Sequence, residues 1–371
     1  MPPWLATVND RLRPFYRPSW NALRSRLLFE RSEDYRSTVF LSSGARMGST
    51  WIAETINYRY DYRYLFEPIT LRRLLATPAY LPLLPGSDDG VVSHSPYSQM
   101  KDRPAIDTRL QYARPSDDDP ELYARAAEVL SGRYHHPEID QYNYTPRIVF
   151  DRRLIKETRA NLMLGWLARR FPGLKIVLLT RHPIPTIQSR LEGNESAATA
   201  SRIAYYEKLI FGQPKLIEDH LAPFRAVLES AHSGFAQRMA IWCIQNYVPL
   251  RQFAPGELHI AYYEDFCVEP VDALRRLFTF TGDRIDDRSL EAATRRMSMR
   301  SSTVHARTMA ELAGSSRVDG LRQVSKWQQR VTDEERATAA AMLSAFGLDA
   351  IYDVKEALPI REGAKRLMRA S

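Results

Sequence analysis

Ser37-Thr38-Val39-Phe40-Leu41-Ser42-Ser43-Gly44-Ala45-Arg46-Met47-Gly48-Ser49-Thr50-Trp51 falls into three parts. Ser37 to Leu41 reads as a buried strand, Ser42 to Gly48 as a loop with two glycines, and Ser49-Thr50-Trp51 as the opening of a helix. Strand, loop and helix make the first half of a βαβ unit. Two more strands follow downstream. Leu174 to Thr180 comes after a helical stretch, Asn161 to Phe171, and a Pro172-Gly173 turn. Its nearly continuous apolar residues fit a parallel strand covered on both faces. Glu257 to Tyr263 lies between helical stretches at Ala236 to Phe253 and Val271 to Phe280. Strands alternating with helices predict an α/β fold, a mainly parallel sheet flanked by helices in three layers.

Outside this core the chain is less regular. Residues 1–36 predict a helical extension with Trp20, Leu23 and Leu27 at helical spacing beside Arg24 and Arg26. It either packs on the main domain or lies against a membrane surface. The main domain is expected over 37–350. Within it, residues 70–146, rich in Pro, Tyr and Asp, read as an insertion or acceptor lid with a capped helix starting at Asp119-Pro120. Residues 294–326 are polar and rich in Ser and Arg. Thr332 with Glu335 forms a capping-box pattern for a last helix ending at Gly347. Residues 351–371 are expected as a basic tail, solvated from residue 355 onward.

Composition removes several function classes. The chain has 371 residues, 44% hydrophobic and 26% charged, with 23 Pro, 16 Gly and 2 Cys. Disordered, collagenous and disulfide-framed readings are thereby excluded. Purely apolar stretches such as Ile176 to Leu179 fall far short of the roughly 20 residues that span a bilayer. The N-terminus has no apolar leader core, so a cytoplasmic protein is expected. Cys243 and Cys267 carry no metal-binding spacing, which points to a reducing compartment and no metal. The net charge is +8, and the 52 basic residues comprise 44 arginines and eight lysines. Guanidinium forks suit phosphate or sulfate, although coding bias would give the same composition. A nucleic-acid-binding protein is a rival reading, but the charge is dispersed and no recognised motif appears.

The loop from Gly44 to Thr50 has the features of an anion site, with glycines that let the chain wrap closely and amides at a helix N-terminus. It is not the G-x-x-x-x-G-K-[ST] loop of ATP-binding proteins: its glycines are four apart, no lysine precedes Ser49, and the cation Arg46 lies between them. An ATP-dependent phosphotransferase is therefore the enzyme alternative. Arg181 stands at the tip of the second strand, His182-Pro183 opens the next helix, and Ser189 follows eight positions after Arg181. Ligands of open α/β sheets bind beyond the strand carboxyl ends. Two such corners point to a nucleotide with two separated phosphates.

These residues carry a family resemblance. Ser43-Gly44-Ala45-Arg46-Met47-Gly48-Ser49-Thr50-Trp51 resembles the 5′-phosphosulfate loop of sulfotransferases that use 3′-phosphoadenosine 5′-phosphosulfate (PAPS). Arg181 through Ser189-Arg190-Leu191 resembles their 3′-phosphate motif, Tyr262-Tyr263-Glu264-Asp265-Phe266 their tyrosine-glutamate strand end, and Ser325-Lys326-Trp327 their C-terminal cofactor segment. The resemblance spans about 37 to 347 and implies a P-loop-like fold. Tyr64-Leu65-Phe66-Glu67-Pro68 is similar to a segment of Golgi carbohydrate O-sulfotransferases. Glu67 also stands about as far from the loop arginine as the base of tyrosylprotein sulfotransferases.

By resemblance, Arg46, the Gly48 to Thr50 amides and the Ser49 and Thr50 hydroxyls would hold the 5′-phosphosulfate. Lys156 would stabilise the transferring sulfuryl group or departing phosphate, and Glu67 would take the acceptor proton, with His94 the second candidate. Tyr263, Ser301 and Lys326 would touch the cofactor. Some relatives carry an arginine where this chain has Gly193; either Arg190 would take over that role or the cofactor would be held by fewer cations. The acceptor is expected to be a carbohydrate or glycolipid hydroxyl. Tyr58, Tyr60, Tyr62 and Tyr64 alternate with period two and would line one side of an extended segment, with Arg59 and Arg63 suited to an anionic glycan; ordinary packing of the tyrosines is the alternative.

Overall fold

A computed structural model describes residues 21–70, 110–143, 145–192, 206–207, 210–299 and 317–368. Along the chain the strands are β1 (Phe29–Glu30), β2 (Thr38–Ser43), β3 (Tyr62–Phe66), β4 (Val149–Phe150), β5 (Arg152–Glu157), β6 (Lys175–Thr180) and β7 (His259–Tyr262). The main helices are α1 (Ser49–Ile56), α2 (Pro120–Leu130), α3 (Leu164–Arg170), α4 (Pro183–Glu192), α5 (Gly234–Gln252), α6 (Tyr263–Val268), α7 (Pro270–Thr281), α8 (Asp287–Met299), α9 (Arg317–Ser325), α10 (Asp333–Phe346) and α11 (Gly363–Leu367). Residues 21–27 are also helical.

Five strands form one sheet in the order β3-β5-β2-β6-β7, all neighbours parallel. Successive side chains of a strand point to opposite faces, and here both faces are covered. Phe40, Leu65, Ile155, Ile176 and Leu178 join the layer built by α3, α5 and α10, with Trp166 and Trp242 in it. Val39, Leu41, Leu154, Val177 and Leu179 join the layer of α1, α7 and α8, with Ile52, Leu277 and Phe278. The result is the expected three-layer α/β architecture. β2 sits between β5 and β6, where the connections diverge to the two sides of the sheet. The carboxyl ends of β5, β2 and β6 therefore open side by side, the place where such sheets bind ligands.

Local signals set several boundaries. The Asp119 carboxylate caps α2 by accepting from the Leu122 amide, and Pro120 occupies the first turn. The Thr332 and Glu335 side chains and backbones satisfy each other in a capping box, and Gly347 ends α10 at φ 67°. The N-terminal segment is tied to the domain by charge. Arg63 and Arg153 are both fully buried; Arg63 pairs with Asp140 at 2.9 Å, and Arg153 with Glu30 at 3.1 Å. Burial, opposed by those arginines, pushes the Glu30 carboxyl up to about 6.

One open alternative is decided and two expectations change. The four tyrosines do not line an open face. Tyr60 turns at φ 58°, and the Asn57 side chain bonds both the Tyr62 carbonyl and amide, so β3 begins only at Tyr62. Tyr62 and Tyr64 are buried in the α1 layer, and Tyr58 stacks on Phe278. A strand inside a sheet covered on both faces has no solvent side for such a platform. Arg63 likewise serves an internal ion pair, so it is not open to a glycan. The C-terminal stretch is not a solvated tail: Ala357, Ala364 and Met368 are buried, and Arg361 bonds Asp265 and Glu269. Its basic side chains lie beside small apolar residues that pack inward. Of the expected insertion, α2 buries Leu122, Ala126 and Leu130 in the core, while residues 71–109, including His94, lie outside the described residues, as do Gly193 and Ser301.

Candidate functional site

The site begins where β2 ends. After Ser43 the chain turns so tightly that the Gly44 amide points at the Met47 sulfur, 3.2 Å away. A Cβ on Gly44 would fall 2.6 Å from the Met47 methyl. Gly48, at φ 88°, caps α1 without any side chain closing its first turn, and a Cβ there would lie 2.7 Å from the Tyr263 ring. Glycine is required at Gly48 for both reasons. The leading amides of α1 are thus left for an anion. Arg46 is exposed and also has positive φ, 66°. The Ser43 hydroxyl is buried without a hydrogen-bond partner among the described residues.

The end of β6 leans on this loop. Arg181 Nη1 donates to the Arg46 carbonyl at 3.0 Å, and its guanidinium lies over the Tyr263 ring at 4.3 Å. Tyr263 in turn packs against Trp51 of α1. Ser43, Gly44, Arg46, Met47, Gly48, Ser49, Thr50, Trp51, Arg181 and Tyr263 therefore share one corner. Ser189 lies two turns along α4, and no hydrogen bond or ion pair joins it to Arg181 among the described residues. Lys326 is exposed in the turn after α9. Its neighbour Trp327 stacks on His182 with ring centroids 4.3 Å apart.

The third component comes from the other side of β2. The register pairs Phe66 with Lys156 and Leu41 with Lys156, so Lys156 sits between β2 and β3 at the sheet end. Lys156 Nζ donates to Glu67 Oε1, and both side chains are buried. The ammonium also lies 4.5 Å from the Phe66 ring centre. Glu67 adopts φ 47°, and its amide donates to the Lys156 carbonyl at 2.8 Å. The two residues singled out separately in the sequence, 89 positions apart, form one buried ion pair.

Sequence reasoning assigned no role to the groups that hold Arg181 in place. Glu264, fully buried, accepts from the His182 amide at 2.8 Å and from the Tyr352 hydroxyl at 3.1 Å. Burial, eased by these hydrogen bonds, leaves its carboxyl raised to about 7. The His182 ring donates through Nε2 to the Asp353 carbonyl at 3.1 Å, and burial brings it down to about 3, so it is neutral. Trp242 Nε1 closes the cage on the Arg181 carbonyl at 3.0 Å. Glu264 was within a quoted motif; Trp242, Tyr352 and Asp353 carry no local signal of this contact.

No protein-family model matches the chain, and no curated protein matches it at a significant level. Among solved structures 28 chains match. One is a sulfotransferase domain from the curacin biosynthetic pathway, 15% identical over 82% of this chain and 95% of that chain, with a TM-score of 0.38. Another is mouse sulfotransferase SULT7A1 complexed with PAP, 13% identical over 88% of this chain and 89% of that chain, with a TM-score of 0.36. Likenesses of this size do not bear on activity or acceptor.

Proposed function

We propose that this chain is a sulfotransferase that moves the sulfuryl group of PAPS to an acceptor hydroxyl. The observation that supports this best is the meeting of three neighbouring strand ends. The glycine loop after β2, Arg181 after β6 and the Lys156–Glu67 pair beside β5 adjoin one another. The residues fit the nucleotide: the unpartnered Ser43 hydroxyl, the uncapped first turn of α1 and the exposed Arg46 suit a 5′-phosphosulfate. Arg181, with Ser189 further along α4, suits a 3′-phosphate.

When bound, PAPS would supply an activated sulfuryl group, its S–O bond to the 5′-phosphate giving way to a new S–O bond to the acceptor oxygen. Glu67 takes the proton that this oxygen loses. A lysine ammonium has three N–H donors; with one on Glu67, Lys156 keeps two for the sulfuryl or bridging oxygens, where negative charge builds. The Lys156–Glu67 contact also keeps the base aimed until the acceptor arrives.

For the acceptor we infer a carbohydrate or glycolipid hydroxyl, supported by the Tyr64 to Pro68 segment alone, since Tyr62 and Tyr64 are internal. Leu23, Leu27 and Phe29, exposed beside Arg26, support peripheral contact with a membrane carrying such an acceptor. Among the described residues no helix is long and apolar enough to cross a membrane.

Thermal unfolding with adenosine 3′,5′-bisphosphate, 5′-AMP, and ATP with magnesium tests the reading. At a hundredfold excess over the dissociation constant, binding adds about 2.7 kcal/mol of stability. A raised midpoint with the bisphosphate is expected. A raised midpoint with ATP and magnesium alone would replace this reading with a phosphotransferase.

A further inference from the structure

Glu157, the last residue of β5, is fully buried one position beyond Lys156, and the transfer chemistry above does not use it. Its carboxylate gathers three backbone amides. Oε1 accepts from Thr158 at 2.9 Å and from Arg159 at 3.2 Å, where the chain turns out of the sheet, while Oε2 accepts from Ile69 at 2.9 Å. Ile69 is two residues beyond Glu67, in the short turn Pro68–Thr70.

That turn carries strain. Glu67 has φ 47° and precedes a proline, which pushes the preceding residue toward extended backbone. A residue other than glycine held there is strained and persists only where its surroundings fix it. Among the described residues three bonds to backbone amides hold it: Phe66 amide to the Ile139 carbonyl, Glu67 amide to the Lys156 carbonyl, and Ile69 amide to Glu157. The first two hold the chain entering the turn. The third holds the chain leaving it, and it is the one made by a side chain.

We propose that Glu157 is a positioning residue for the base, its carboxylate closing on the Ile69 amide to hold Glu67 in its left-handed conformation opposite Lys156. This rests on the sulfotransferase reading for the word base, but the positioning itself does not. The electrostatics agree with the geometry: burial first, and then the nearby Glu67 charge, push the Glu157 carboxyl up to about 7, against its amide bonds and Arg159.

The test is Glu157→Gln in the full chain. With the amide oxygen serving Thr158 and Arg159, the new NH2 faces the Ile69 N–H, donor against donor, so that link is lost. Hydrogen exchange at Ile69 should become about tenfold faster, as losing a bond to a charged group implies, while exchange in β6 stays unchanged. With PAPS and a 4-nitrophenyl glycoside as acceptor, kcat should fall about 100-fold through misplacement of Glu67. KM for PAPS and the midpoint shift with adenosine 3′,5′-bisphosphate should hold. Glu157→Asp, which keeps the charge one methylene short, should give intermediate exchange, and it replaces the Gln variant if that one fails to fold. In carboxyl-labelled protein, Glu67→Gln should lower the titration midpoint of Glu157. Unchanged exchange at Ile69, unchanged kcat in an active enzyme, or an unmoved Glu157 midpoint would each overturn the proposal. A wild-type chain indifferent to the bisphosphate would instead overturn the sulfotransferase reading, leaving exchange and titration to decide the positioning.

Discussion

At the end of β2 the chain makes its candidate anion site from its own next seven residues: two glycines, an arginine and an uncapped helix start. At the end of β6 the sequence supplies Arg181, and distant residues do the rest. Trp242 holds its carbonyl, Glu264 its neighbour's amide, Tyr263 its guanidinium face, and Tyr352 and Asp353 the cluster behind. The first corner is preorganised by local backbone geometry, the second by tertiary packing. The first should therefore fail abruptly at single glycines, whereas the second should fail in graded steps as its supports are removed.

The largest effect is expected at neither corner. Glu67→Gln should reduce turnover by about 10³-fold, the middle of the range for a general base. Stabilisation by adenosine 3′,5′-bisphosphate in a melting assay should be unaltered, since both corners remain. Near-normal turnover would remove Glu67 as the base.

Gly48→Ala comes next and breaks the first corner. The left-handed backbone costs roughly 1–2 kcal/mol for any residue with a Cβ, and the Tyr263 ring stands 2.7 Å from that Cβ. A lower melting temperature together with loss of response to both the bisphosphate and 5′-AMP is expected. A variant that still binds both would show that the loop can relax.

Arg181→Ala breaks the second corner selectively. Calorimetry should show bisphosphate affinity down by about 10- to 100-fold, the scale of a lost charged hydrogen bond, with 5′-AMP changed much less. Equal losses for the two ligands would mean that Arg181 acts by holding the Arg46 carbonyl rather than a 3′-phosphate.

The smallest effect is a pH dependence found in the second corner alone. Glu264, with its carboxyl raised to about 7 from 4.5, holds a proton in the folded state that the unfolded chain has released. Its contribution to stability is complete below about 4.5 and lost as the pH rises through about 7. His182, lowered to about 3 from 6.5, has the opposite sign and costs stability as the pH falls below 6.5. Glu264→Gln removes only the first term, so its melting temperature should gain on wild type between pH 5 and 7. Parallel curves would mean that Glu264 does not titrate in that window.

The legible parts of the molecule were those with short-range causes. Asp119-Pro120, Thr332 with Glu335, and Gly347 mark helix ends because caps act within one turn. Gly44 to Trp51 and Arg181 were readable because a strand followed by a helix aims its turn at one end of the sheet. The tyrosine run left two readings open because alternation gives the faces of a strand without saying that both will be covered. The C-terminal stretch was misread because Lys355, Arg361, Lys365 and Arg366 obscure the few small residues that pack.

By itself the sequence determined the alternation of strands and helices, the glycine loop and the residue types able to hold two anions, because each depends on neighbours within a few positions. Only the tertiary structure decided that Glu67 meets Lys156, that Glu264 and Tyr352 lock the Arg181 corner, and that Glu157 reaches Ile69. Those contacts depend on strand order and register, set by burial of both sheet faces across the whole chain.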